Sequence, residues 1–233
     1  MRRVSVASIL VLLLSGAVCH AQFASTFDTD NENWRFSTIE SPFHAGSGPP
    51  YPGAVASAPF LGLIGNPAGS IGWTSDAGGY QYFLTPLAWN GDRSYLMGGF
   101  ISWDYSYTST EPWANNWGDI AIRDTANNRW IVADATSSIP PQSVWNTFTV
   151  SLDTSTPWRI GSTVGSLATN AEILAALTNM GGVYIRGDVI PGTVELYQLD
   201  NFRWAVAVPE AGTTASLAAF LSMGLVWMRR RLT

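Results

Sequence analysis

From Phe100 to Tyr107 the chain alternates in strict register. Ile101, Trp103, Tyr105 and Tyr107 fall on one side, and Ser102, Asp104 and Ser106 on the other. A period of two with one buried face predicts a β-strand. The same period places Phe148, Val150 and Leu152 opposite Thr147, Thr149 and Ser151. Tyr80 to Leu84 is a further strand. Asp119 to Arg123 and Trp130 to Ala133 flank Thr125-Ala126-Asn127-Asn128 and predict a hairpin. Val183 to Ile190 and Val194 to Trp204 predict the last two strands. Turn signals stand at Asp76-Ala77-Gly78-Gly79 and Asn90-Gly91. Ser41 to Pro59, rich in Pro, Gly, Ala and Ser, predicts a loop, partly extended, with His44 solvated in it.

One segment breaks the strand pattern. Thr169-Asn170-Ala171-Glu172 has the spacing of a capping box, in which Thr169 serves the amide of Glu172 and Glu172 reaches back. Ile173, Leu174, Leu177 and Met180 then fall on one helical face, and Gly181 supplies a left-handed stop. Many short strands and one short helix predict an all-β, jelly-roll-like sandwich with the helix packed on it.

The two ends follow different rules. Arg2-Arg3, the apolar Ile9 to Leu14 and Cys19-His20-Ala21 predict an export signal over residues 1–21, cleaved before Gln22. At the other end nothing charged lies between Ala211 and Met228, and Arg229-Arg230-Arg231 follow. That span is just long enough for a transmembrane helix, for which ~17–25 residues are needed, with the arginines on the inner side. A plain single-pass anchor satisfies this pattern. Val208-Pro209-Glu210 ahead of the span and the terminal Arg cluster also resemble the PEP-CTERM sorting tail of Gram-negative bacteria. Ala211 departs from the second proline usual in that tail. The resemblance implies export through the Sec pathway and recognition of residues 208–233 at the inner membrane by an exosortase, a protease-transferase. The mature protein is then delivered to the cell surface or extracellular matrix.

Composition narrows what the part between, residues 22–207, can do. The single cysteine lies in the signal segment, so the domain has no disulfide and no thiol chemistry. All 12 basic residues are arginines; five lie at the two ends, leaving 7 against 17 acids. A balance near −10 repels phosphate backbones and argues against nucleic-acid binding. Only His44 remains after processing, which excludes a multi-histidine metal site. No spacing singles out a carboxylate pair for glycoside hydrolysis, so no enzymatic activity is expected.

Several short motifs follow in a telling order: Asn66-Pro67-Ala68-Gly69, Phe83-Leu84-Thr85-Pro86, Trp89-Asn90-Gly91-Asp92 and Gly98-Gly99-Phe100 with Ser102 and Asp104. The helix, Ile185-Arg186-Gly187 and Leu199-Asp200-Asn201 complete the series. Together, over about 65–204, they resemble the laminin B (laminin IV type) domain. The resemblance implies a jelly-roll-like sandwich without catalytic activity, although the Cys-rich modules that flank it in laminins are missing from this sequence.

Two candidate sites remain. The loop Thr108 to Gly118 holds Trp113 and Trp117 with Asn115 and Asn116 between them. These residues either offer stacking faces and amides to a polysaccharide, or fold the rings inward as a core cap. Asp28, Asp30 and Glu32 alternate like calcium ligands, but an EF-hand is excluded by Asn33 and Ile39 at its sixth and twelfth positions. The stretch is then either a solvated turn leading to a strand anchored by Trp34 and Phe36, or a calcium loop. Pairing of the terminal strands would bring Asp200 to Asp28 and Asp30, and a shared Ca²⁺ is the expectation there. The function expected is a surface or matrix interaction protein, structural or adhesive, with a carbohydrate-binding module as the alternative and a glycoside hydrolase a distant third.

Overall fold

The computed structural model describes residues 23–39, 52–75, 80–110, 118–136, 139–188 and 194–206. Strands β1 (Phe23–Ser25), β4 (Ile71–Ser75), β6 (Phe100–Ser109), β9 (Asn146–Ser151) and β12 (Glu195–Ala205) form one antiparallel sheet. The other sheet has seven strands in the order β10-β8-β7-β11-β5-β2-β3. These are β2 (Arg35–Ile39), β3 (Pro52–Ser57), β5 (Tyr80–Leu84), β7 (Ile120–Asp124), β8 (Arg129–Ala133), β10 (Arg159–Ile160) and β11 (Met180–Arg186). The jelly-roll-like sandwich is thus the fold of the molecule.

Its core is the set of alternate residues facing between the sheets. Trp34, Ile101, Trp103, Tyr105, Phe83, Ile122, Ile131, Leu199 and Trp204 are all buried within one cluster. At ~25 cal/mol per Å² of apolar area removed from water, and ~150–250 Å² per large aromatic ring, the tryptophans and tyrosines carry much of the driving force. A second cluster, Tyr82, Leu84, Ala121, Trp130, Val132 and Tyr184, uses the opposite alternation on the seven-stranded sheet. Both faces of β6 are buried: Ser102, Asp104 and Ser106 are as enclosed as the aromatic residues between them. The expectation of one open face fails there, because the polar face is occupied by a hydrogen-bonded network.

The helix α1 (Asn170–Thr178) opens with the capping box on Thr169 and Glu172. It buries Ile173, Ala176 and Leu177 rather than Leu174, which is exposed. It also stops earlier than the glycine signal suggested. Met180 already begins β11, and the positive φ belongs to Gly182. The reason is the strand partner: Met180 pairs with Asp124 of β7 and bridges Gly91, so the ladder takes over where the helix could have continued. β3 is the other correction. Small residues read as loop pair with β2 and form the sheet's edge.

The hairpin β7–β8 is as expected, with Asn128 at φ 47° in its turn. The terminal strands pair antiparallel, Phe23 opposite Trp204. Both ends of the described chain therefore lie at one pole, where α1 also packs against the Ser94–Leu96 turn. The 11 residues of β12 put the opposite pole about 30 Å away at ~3.3 Å per residue.

Candidate functional site

β12 pairs with β6 along nearly its whole length, but its other side is shared. Glu195 to Leu199 pair with β4, and Phe202 to Trp204 pair with β1. Between these partners lie Asp200 and Asn201, at a β-bulge where Asn201 takes φ 48°. The loop 65–69 fills the gap. The amide N–H of Asn66 donates to Asp200 Oδ2 at 2.6 Å, and that of Asn201 to Asp200 Oδ1 at 2.7 Å. Asn201 Nδ2 donates to the Asn66 carbonyl and, at 2.8 Å, to Asp104 Oδ2. Asn66 Nδ2 reaches the same Oδ2 at 3.2 Å, while Thr147 Oγ1 donates to Asp104 Oδ1 at 2.6 Å. Gly69 closes the loop at φ 113°, with Phe27 O only 2.3 Å from where a Cβ would stand. No side chain fits there, and the backbone conformation itself favours glycine.

Beside this junction is a hollow of about 380 Å³ lined by Thr26, Ser102, Asp104, Thr147, Asn201 and Arg203 among others. Its chemistry is that of hydroxyl, amide, carboxylate and guanidinium groups, suited to hydrogen bonding. It is poorly suited to proton transfer, because both oxygens of Asp104 and of Asp200 are already held by donors. Burial pushes the Asp200 carboxyl up to about 6, against the lowering effect of its two N–H donors; the Asp104 and Asp28 charges push it further up.

A second polar group lies inside the pole remote from the termini. Arg186 is 2% exposed, and its Nη1 stands 3.5 Å from Asp119 Oδ1. Asp119 Oδ2 accepts the amides of Ala135 and Thr136 at 2.9 and 3.1 Å. Arg186 Nε donates to Asp188 O, and Tyr105 OH to Gly187 O at 2.6 Å. Burial drives Asp119 up to about 7; Arg186 opposes this, and Asp134 adds to it. Sequence reasoning missed this pair. Arg186 was visible only within a motif, and Asp119 only as the first residue of a strand.

The expected ligands fall into two groups. Trp113, Asn115, Asn116 and Trp117 lie outside the described residues, as do the signal segment, Val208, Pro209, Glu210, Arg229, Arg230 and Arg231. Among the described residues no helix is long and apolar enough to cross a membrane. Asp28, Asp30 and Asp200 are all described. Asp28 Oδ2 accepts from Thr26 Oγ1 at 2.8 Å and Asp30 Oδ1 from the Glu32 amide at 2.7 Å. Terminal-strand pairing brings Asp28 close enough to bear on the titration of Asp200. With both Asp200 oxygens engaged by amides, however, no group of three or more His, Cys, Asp or Glu residues is arranged to hold a metal ion among the described residues.

The sequence matches the model of the Laminin B (Domain IV) family over residues 82–219, more than half of the chain. The chain belongs to the Laminin B family. The matched stretch begins after Asn66-Pro67-Ala68-Gly69, yet the fold docks that loop against Asp104 and Asp200, both inside the match. Among solved structures, this Laminin B domain is similar to the L4b domain of human laminin alpha-2, with TM-score 0.55 and 12% identity over 80% of this chain and 98% of that one. At that identity the likeness speaks for the fold alone. A family 11 carbohydrate-binding module of a Clostridium thermocellum cellulosomal cellulase gives TM-score 0.47 and 16% identity over 82% of this chain and 98% of that one. No curated protein matches the sequence.

Proposed function

We propose that this chain is an exported surface protein whose Laminin B sandwich is a non-catalytic interaction domain, structural or adhesive in role, held at the envelope or in the extracellular matrix. Family membership is the observation that carries the interaction-domain part of this reading, and the pattern of residues 1–21 and 208–233 is what supports export. The engaged state of Asp104 and Asp200 supports it, since carboxylates committed to holding a loop are not free for acid–base work. Retention of the purified protein on a panel of polysaccharides and envelope proteins tests it. Selective retention of a partner, left intact rather than cleaved, is the expected result. Release of reducing sugar from any polysaccharide would overturn the non-catalytic reading.

Delivery is a separate part of the proposal. An exosortase acting near Val208-Pro209-Glu210 removes the tail with Arg229, Arg230 and Arg231 after Sec-dependent export. Mass spectrometry of the mature chain from cells checks this; a chain that still contains Arg229 to Arg231 is a plain membrane-anchored protein. A bound Ca²⁺ on Asp28, Asp30 and Asp200 is a further proposal; it draws on the pairing of the terminal strands and requires the three carboxylates to converge and Asp200 to release its amide donors. Calcium should then raise the melting temperature, and a titration without any shift removes the ion from the account.

The polar hollow beside Asp104 favours a second reading, that of a glycan-binding surface module. It predicts retention on polysaccharides even when no protein partner is present.

A further inference from the structure

A groove of about 620 Å³ runs over the corner of the seven-stranded sheet, between β2, the edge strand β3 and the turn Leu87–Trp89. Its size falls within the ~300–1,000 Å³ typical of ligand sites. Three features of its walls are not explained by folding.

The first is apolar exposure. Leu87 is 64% and Val55 45% exposed, and both line the groove beside the half-buried Trp89 ring. The second is an unspent donor. Arg35 lines the same groove and places Nη2 on the Thr85 carbonyl at 2.8 Å, but its Nε is buried without a hydrogen bond. The third is strain. Glu32 and Asn33, consecutive on the rim, take φ 48° and 62°, a left-handed conformation that is unfavourable for residues other than glycine. Glu32 Oε1 is held by the amides of Thr26 and Phe27, so the carboxylate is fixed in position.

From this combination we infer that the groove between Arg35, Val55 and the Leu87–Trp89 turn binds a neutral sugar unit of a surface or matrix glycan. One guanidinium and one carboxylate balance in charge, which favours neither an anionic nor a cationic ligand. A pyranose has an apolar C–H face and a rim of hydroxyls. The face packs on Trp89 and Leu87; the hydroxyls meet Arg35 as donor and Glu32 as acceptor. The inference rests on the glycan-binding form of the function proposed above.

The test uses the full chain in detergent, with immobilised neutral oligosaccharides of β-linked glucose, xylose, mannose and galactose units as probes. Leu87→Arg fills the groove from an exposed position, and Arg35→Met removes the donor. The wild type should retain at least one oligosaccharide, and each variant should weaken it 10-fold or more. The melting temperature of Leu87→Arg should stay unchanged. If Arg35→Met fails to fold, Leu87→Arg alone decides. Retention that neither variant alters overturns the groove as the site, while the surface-interaction reading stands. No retention of any oligosaccharide at millimolar concentration overturns the sugar assignment. So does capture of an extended peptide that Leu87→Arg abolishes, which would instead assign the groove to protein partners.

Discussion

At the pole where the chain ends meet, Phe23, Trp34, Trp89, Phe202 and Trp204 pack ring against ring, with centroids 4.8–5.8 Å apart. At the other pole the interior holds Arg186 and Asp119, tied to the backbone of residues 135–136 and 188. The aromatic pole gains from burial without regard to position by position partners. The charged pole costs desolvation and is stable only while every group keeps its partner. The aromatic pole should therefore answer to lost volume and the charged pole to pH and lost partners.

Truncation of the aromatic pole should have the largest effect. Trp34→Ala removes a fully buried ring and should cost about 3–5 kcal/mol, equally at pH 5 and pH 8. Denaturant unfolding at both values checks this, and a pH-dependent loss would break the contrast. Arg186→Met should cost about 3 kcal/mol at pH 8, because Asp119 is then buried without its counter-charge. At pH 5 the loss should shrink, since Asp119 can take up a proton.

The pH profile of the intact protein follows from the same groups. Asp119 and Asp200 are raised to about 7 and about 6, so the fold favours their neutral forms. The stability they lend is full below about pH 4 and is lost progressively from there as pH rises to about 6 for Asp200 and about 7 for Asp119. Asp92, Asp124 and Glu172 are lowered, chiefly by hydrogen bonds that outweigh burial at Asp124, and lend stability that is lost as pH falls below about 4. Melting temperature should peak near pH 4 and decline from there to about pH 7, and Asp119→Asn should flatten that decline. An unchanged decline in that variant would assign the pH response elsewhere.

Smaller effects sharpen the comparison at single elements. Gly69→Ala should cost about 2 kcal/mol, through a left-handed backbone and a clash with the Phe27 carbonyl. Thr169→Ala should cost about 1 kcal/mol by removing the helix cap, and its effect should be the same at pH 5 and 8.

Local chemistry was enough to specify much of this protein. Strict alternation determined β6, and its buried aromatic side follows from it because a strand has a period of two. The capping box determined where α1 begins, since Thr169 and Glu172 act within four residues of each other. The turn 125–128 determined a hairpin. The order of short motifs pointed to the Laminin B family, which the match over residues 82–219 establishes. Other features depend on residues that meet only in the folded chain. Small residues at 52–57 carry no strand signal of their own, and β2 makes them an edge strand. The helix ends at Thr178 because β7 and Gly91 claim Met180. Asn66 meets Asp200 across 134 positions, and Arg186 meets Asp119 through the pairing of β11 with β7 in one sheet. No local pattern encodes those meetings: they arise when strands and loops distant in sequence pair and dock, and only in the closed sandwich do burial and neighbouring charge give Asp119 and Asp200 their shifted titration.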